Sequence, residues 1–520
     1  MFNIIFGNCE VIDGSGAKSF IADVGITDDK ISAIGNLSSI EALKRLDLSG
    51  KAIAPGFVNV HGHSDGWLIK KRNFTVQTSQ GYTTELLMTD GFSYAPVNPS
   101  TLPEFIHYLR TINGLELSDY SGWETITDYM KLVDKKTSQN TLAQIPYSNL
   151  RVIADGFSDK ALSSNQRSAI RKIVETEMAN GAVGLSTGLD YAAQCFATTE
   201  DLIDACLPFS GSKALYITHM RYAIGRLEAL KEAVEIGKKA KVGVHISHFM
   251  GRTPEESEVL IDYVNKVAVN EVDFSFDSIP YTSSCTLLGA QLPLEAWTEG
   301  SIAALNKLKE PAVQKILDEK IKLLPLDRFY IAWIPGDSHT HLFGKTLAEY
   351  IVSVNKSPLD AVTDLLLETN LSVLCVNRYV DDTAVFPFLA HDKFMLGSDG
   401  IWQPGGFLHP RTLGSTGRLL GSCVKKFNLF SMEKAVQKMT DIPCRKFGIH
   451  NRGLIKENYF ADLVIFNPKT VTERAGFDNP LDSTVGIESV YVNGIEIVSN
   501  GQDVLKPETT PPGRYLKFQP

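Results

Sequence analysis

Ala214-Leu-Tyr-Ile-Thr218 is followed by the amphipathic segment Arg226–Ala240 and then by Val242-Gly-Val-His-Ile-Ser247. The outer two runs are short and apolar, as strands buried on both faces are, while the middle one has a helix's 3.6-residue period. Strand, helix and strand in succession form the unit of a parallel sheet. The alternation continues outward. Upstream, Ser163 to Ala179 reads as a helix stopped at Asn180-Gly181, with Ala182-Val-Gly-Leu-Ser186 as the next strand. Asp201–Leu207 is helix-like; downstream, Pro254–Asn270 reads as a helix and Val272–Phe276 as a strand. Repeated along the middle of the chain, this α/β rhythm predicts a (β/α)8 TIM-like barrel. A doubly wound open sheet is the alternative, but neither G-x-G-x-x-G nor a Walker A loop favours it.

The two ends have another texture. Asn3-Ile-Ile-Phe6, Ala22-Asp-Val-Gly-Ile26 and Ile31-Ser-Ala-Ile34 are strand-like, broken at Asp13-Gly14 and Asp28-Asp-Lys30. Ala461-Asp-Leu-Val-Ile-Phe466 and Ser489-Val-Tyr-Val-Asn-Gly494 match them, the latter closing on an Asn-Gly turn. Residues 1–55 and 450–520 are therefore expected to pair into one small β domain, leaving 56–449 for the barrel. The stretch 285–346 breaks the rhythm and reads as an insertion over the site.

The chain has 520 residues, 43% hydrophobic and 21% charged, which suits a globular enzyme with a large core. A net charge of −9 argues against a general nucleic-acid-binding role. Seven cysteines (Cys9, Cys195, Cys206, Cys285, Cys375, Cys423, Cys444) are scattered without a C-x-x-C pair, so free thiols in a reducing compartment are expected. No signal-peptide pattern and no apolar run of about 18 residues is present, which predicts a cytoplasmic location and no membrane partner. Monomer and homo-oligomer both remain open.

Chemistry concentrates at strand ends. His61-Gly62-His63 closes the run Ala54-Pro-Gly-Phe-Val-Asn-Val60, and residues two apart on a strand share a face. Thr83-Thr-Glu-Leu-Leu-Met88 leads to Asp90, Tyr216-Ile-Thr218 to His219, His245-Ile-Ser247 to His248, and Phe394-Met-Leu-Gly-Ser398 to Asp399. Singly, each has an ordinary explanation as a core histidine, a turn or a helix cap. Together, at the C-terminal ends of parallel strands, four histidines and two carboxylates can hold one or two divalent metals. His339-Thr-His341, inside the insertion, reads as a surface loop. Trp402, Phe407 and His409 fit either the pocket wall or ordinary packing. Ser186-Thr187 lacks the G-x-S-x-G frame of a serine hydrolase.

The chain resembles the amidohydrolase superfamily and, within it, the N-acyl-D-amino-acid deacylases (D-aminoacylases), almost end to end. The resemblance rests on Pro55-Gly-Phe-Val-Asn-Val-His-Gly-His-Ser-Asp65, Gln80-Gly-Tyr-Thr-Thr84, Gly91-Phe-Ser93, Gly181-Ala-Val-Gly-Leu-Ser-Thr-Gly-Leu189, Thr218-His-Met-Arg221 and Ile246-Ser-His248. It continues with Gly397-Ser-Asp-Gly400, His409-Pro-Arg411, Asn451-Arg-Gly453 and Ala461-Asp-Leu-Val464. It implies a metal-bearing barrel with a small β-sandwich built from both chain ends. It also implies His61, His63 and Asp399 at one metal position and His219 and His248 at the other, with zinc as the expected metal. Asp399 becomes the general base and acid, and Tyr191 and Arg411 hold the substrate carboxylate. The chain departs from its relatives at four places. Asp90 stands where they have a cysteine ligand, and its harder oxygen suits manganese or iron as well as zinc. Met250 replaces a lysine, with Arg252 two residues on; Cys285 replaces a serine; Pro146-Tyr147 replaces Gly-His.

The reading is a metal-dependent hydrolase of linear amide bonds, acting on a small-molecule amide that carries a carboxylate, such as an N-acyl-D-amino acid. A cyclic amidohydrolase of the hydantoinase or dihydroorotase kind is the second reading, and a catalytically silent barrel scaffold the third.

Overall fold

A computed structural model describes residues 1–379 and 381–519. Five strands open the chain: β1 (Phe2–Val11), β2 (Phe20–Thr27), β3 (Lys30–Gly35), β4 (Ala42–Asp47) and β5 (Ala52–Pro55). Next come β6 (Phe57–Asn59), β7 (Tyr82–Leu87), β8 (Asn140–Ala143) and β9 (Ile145–Pro146). They are followed by β10 (Gly184–Gly188), β11 (Leu215–His219), β12 (Gly243–Ile246) and β13 (Phe274–Ser278). Then follow β14 (Ser284–Leu287), β15 (Phe329–Trp333), β16 (Leu374–Asn377) and β17 (Phe394–Leu396). The last four are β18 (Leu463–Phe466), β19 (Ile487–Val492), β20 (Ile495–Ser499) and β21 (Gln502–Asp503).

Strand β18 pairs with β5, so both chain ends share one nine-stranded sheet. Its wings close over a common core in which Phe6 meets Tyr491 edge-on at 5.3 Å. The β19–β20 hairpin turns at Asn493-Gly494, both with positive φ (48° and 81°), as the Asn-Gly pair predicts. The tail then leaves this sheet. Thr141 N donates to Arg514 O and Leu516 N to Thr141 O, at 2.9 and 2.8 Å, so the last residues lie along β8 rather than with the other C-terminal strands.

Parallel pairing joins β6, β7 and β8 in one set and β9 to β13 and β17, in the order β17-β13-β12-β11-β10-β9, in another. Only Gln144 separates β8 from β9, and its N–H donates to Leu87 O at 3.2 Å. At the other seam Gly62 bridges Gly400 in parallel, and Asp399 N donates to His61 O at 2.8 Å. Helices intervene as the periodicity predicts, Ser164–Ala179 capped by Ser163 and Arg226–Ala240 among them. The long helix expected from Pro254 to Asn270 runs as Pro254–Tyr263, a π-helical segment and a short last turn. Side chains alternate across these strands. On β13, Phe276 packs outward on Phe388 and Phe394, while Ser275 and Asp277 turn inward onto His245.

Strands β14, β16 and β15 form a separate antiparallel sheet, roofed by helices such as Pro311–Leu323 and Pro358–Glu368 over their own apolar core. The interruption extends to Asn377, past the expected end at Thr346. Helix-then-strand order over 347–377 imitates the surrounding rhythm, and only the pairing assigns it to this unit. All seven cysteines are free thiols. Among the described residues no helix is long and apolar enough to cross a membrane.

Candidate metal centre

His61 and His63 leave β6 on one face, buried at 1% and 3% exposure. Asp90 sits in a tight turn after β7, where Met88, Asp90 and Gly91 all take positive φ (66°, 55° and 70°). Two of the three are not glycine, so the turn needs external support. Asp65 Oδ1 supplies it by accepting from Met88 N (3.1 Å) and Ser93 Oγ (2.6 Å), while Gln194 Nε2 donates to Asp90 O at 2.8 Å. His248 (φ 36°) and Asp399 (φ 46°) also sit in left-handed backbone at the ends of their strands.

Two groups result, His61–His63–Asp399 and His61–Asp90–His248. His61 Nε2 lies 3.5 Å from Asp90 Oδ1 and 3.8 Å from Asp399 Oδ1; His63 Nε2 lies 3.2 Å from Asp399 Oδ1. His248 Nε2 lies 3.7 Å from Asp90 Oδ1. A tetrahedral shell with bonds near 2.1 Å has edges of about 3.4 Å, so these spacings suit donors converging on a cation. Orphaned atoms agree: His61 Nε2 and Asp90 Oδ1 are buried and have no hydrogen-bond partner among the described residues. Leaving such groups unpaired is costly. The donors, all nitrogen or oxygen, fit a divalent metal.

His219 stands beside the second group, outside both. Its Nδ1 is 2.9 Å from His248 Nε2 and 3.3 Å from the Tyr191 hydroxyl, and its Nε2 is 3.3 Å from Asp190 Oδ2. Arg411, 2% exposed, places Nη1 2.8 Å from Asp399 Oδ2, and its Nε and Nη2 are buried without partners among the described residues. Burial works against the Asp399 charge, but Arg411 and the hydrogen bond from His63 outweigh it and hold the carboxyl well below the usual range. Burial likewise opposes the His61 cation, and the facing Asp90 and Asp277 carboxylates raise its pKa well above the ordinary value.

Three supporting residues escape a reading of the sequence alone. Asp277 places Oδ2 3.6 Å from His61 Nδ1 and 3.0 Å from His245 Nε2, and its Oδ1 accepts from His248 N at 2.8 Å. Asn113 Oδ1 is 3.2 Å from His63 Nδ1. Asp190 accepts from Tyr222 N and Ala223 N as it faces His219. The signal for Asp277 was present in Phe274-Ser-Phe-Asp277, whose phenylalanines face the helices and so send Asp277 inward.

The groups open into a cavity of about 780 Å³ whose wall includes Tyr191, Arg411, Met250, Arg252 and Cys285, with apolar Phe92, Ile112, Leu189 and Ile401. Trp402, Phe407 and His409 are outside that wall; His409 Nδ1 instead accepts from Arg411 N at 3.0 Å. His339 precedes a surface 3₁₀ turn, Thr340–Leu342, that contains His341, and neither lines the cavity.

No protein-family model matches the sequence. A D-aminoacylase of Alcaligenes xylosoxydans xylosoxydans is 32% identical over 511 residues, 95% of this chain and 94% of the relative. The solved structure of an N-acyl-D-glutamate deacylase from Bordetella bronchiseptica, with zinc and a phosphonate mimic of the tetrahedral intermediate, superposes with a TM-score of 0.83. It shares 27% identity and covers 99% of both chains. A D-aminoacylase structure concerned with the role of a binuclear metal centre gives a TM-score of 0.81 at 30% identity, covering 99% of this chain and all of the other. The sequence motifs, the convergent donors and these likenesses agree: the chain belongs to the N-acyl-D-amino-acid deacylase family of amidohydrolases.

Proposed function

We propose that the chain deacylates an N-acyl-D-amino acid or a related amide bearing a carboxylate, on a closed (β/α)8 barrel flanked by a β-sandwich from both chain ends. The parallel pairing of β6 to β13 and β17, eight strands when β8 and β9 are counted as one run broken at Gln144, and the shared terminal sheet support that architecture. One observation carries the function: Arg411 is buried beside Asp399 with two donors idle, at the wall of a cavity that also meets both donor groups.

His61, His63 and Asp399 would hold one cation, and Asp90, His219 and His248 a second. When bound, the metal, zinc or with these hard donors manganese or iron, supplies a Lewis acid for the scissile carbonyl and lowers the pKa of a water toward about 7. Asp399 is the proton carrier: its carboxylate accepts a proton from the attacking water and returns it to the leaving nitrogen. Arg411 keeps that carboxylate ionised and offers Nε and Nη2 to the substrate's own carboxylate through a planar fork. The Tyr191 hydroxyl assists at the same end. Asp190 fixes the ring of His219, and Asp277 those of His61 and His245. The free thiols support a reducing, cytoplasmic setting.

The test is Asp399→Asn, assayed on a panel of N-acyl-D-amino acids and hydantoins. Hydrolysis of the linear amides by the wild type, lost in the variant with most metal retained, is the expected result. Undiminished hydrolysis by the variant would sink the assignment.

A further inference from the structure

We infer that Lys320, with Arg252, selects substrates carrying a second anionic group in addition to the carboxylate taken by Arg411. The inference rests on the reading above and names its substrate class more closely.

Lys320 belongs to the helix Pro311–Leu323 of the inserted unit and lines the cavity, half-buried. Its Nζ donates to Leu292 O at 3.1 Å. Among the described residues no carboxylate oxygen lies within 4.0 Å of it. Arg252 lines the same cavity from the loop after β12; its backbone N donates to Glu256, and its guanidinium has no carboxylate partner either. A third cation there, Arg226, is satisfied: Nε lies 3.4 Å from Glu256 and the guanidinium stacks over Tyr222 at 4.6 Å.

The acids of the wall do not restore balance. Asp90 and Asp399 belong to the donor groups, and Asp190 is committed to His219 and two backbone N–H groups. Burial lowers the Lys320 pKa against the weaker, opposing pull of the Glu295 and Asp190 charges, so the ammonium is partly stripped of water without a contacting anion. An entering carboxylate would complete a charge-assisted hydrogen bond at a site that already bears the desolvation. That carboxylate belongs either to an acidic amino-acid side chain or to an acidic acyl group.

Three substrates of the metal-loaded enzyme separate the sources: N-acetyl-D-glutamate, N-succinyl-D-leucine and N-acetyl-D-leucine. One of the first two should exceed the third in kcat/KM by about tenfold or more, a charged hydrogen bond's worth, and which one identifies the source. The advantage should shrink as salt rises. Lys320→Arg should keep the preference, and Lys320→Glu should turn it toward N-acetyl-D-lysine, which a merely structural lysine would not do. A wild-type preference for N-acetyl-D-leucine, or a dianion preference untouched by Lys320→Glu and by salt, overturns the inference. If no N-acyl amino acid is hydrolysed, the proposed function falls while calorimetry still decides this point. Tighter binding of N-acetyl-D-glutamate or of N-succinyl-D-leucine than of N-acetyl-D-leucine by the metal-loaded protein upholds it, and equal affinities for all three overturn it.

Discussion

Arg411 Nη1 lies 2.8 Å from Asp399 Oδ2, and both side chains are almost fully withdrawn from water. One guanidinium therefore serves the proposed base through one nitrogen while two others remain free for substrate. Lysine has charge but no fork. Arg411→Lys is expected to keep Asp399 paired and to raise KM by about 10–100-fold, with a smaller loss in kcat. Arg411→Met should lower kcat as well, because the buried Asp399 charge loses its partner. Steady-state kinetics of both variants test the split; the same kcat in the two would count against it.

Asp277 touches the centre from behind, facing the His61 ring with one oxygen and holding the His248 backbone with the other. Losing such an outer carboxylate typically costs about 10–100-fold in metal affinity. Asp277→Asn should show that loss in a competition titration with a chromogenic chelator, with the far-ultraviolet circular dichroism unchanged. Wild-type affinity in the variant would remove Asp277 from the account.

Asp90 brings a carboxylate oxygen to a candidate donor group, His61–Asp90–His248, that contains no sulfur. Thiolate is softer and favours zinc over manganese. Asp90→Cys should raise the zinc-to-manganese ratio retained from an equimolar mixture, and its cobalt form should gain the near-ultraviolet thiolate band that the wild type lacks. An unchanged ratio would mean that Asp90 lies outside the coordination shell.

Much of this was legible in sequence because strands and helices signal through different periods. Ser163 and Asn180 bracket a real helix, and His61, His63, Asp90, His248 and Asp399 meet because parallel strands end on one side. What stayed hidden depends on pairing. Residues 347–377 carry the same helix-then-strand pattern as the strands around the centre, yet β16 pairs antiparallel with β14 and β15. Asp277 and Asn113 reach their histidines from another strand and from a helix end. Arg252 and Lys320 share one cavity although they lie far apart in the chain.

Glu85 yields a prediction independent of the chemistry. It lies wholly buried on β7, accepting from Ser64 Oγ at 2.8 Å and Gln139 Nε2 at 2.9 Å. Burial outweighs these bonds and raises its pKa from 4.5 to about 8. The folded protein thus binds this proton more tightly than the unfolded chain. The stability it confers is fully present below pH 4.5 and is lost as pH rises through about 8. At 1.4 kcal/mol per pH unit the loss reaches a few kcal/mol. Glu85→Gln has no proton to lose, so its melting temperature should gain on the wild type by several degrees between pH 5.5 and 8.5. Thermal unfolding of both proteins, stripped of metal so that ligand binding adds no pH term, measures the difference; parallel curves would show that Glu85 is already ionised in the folded state.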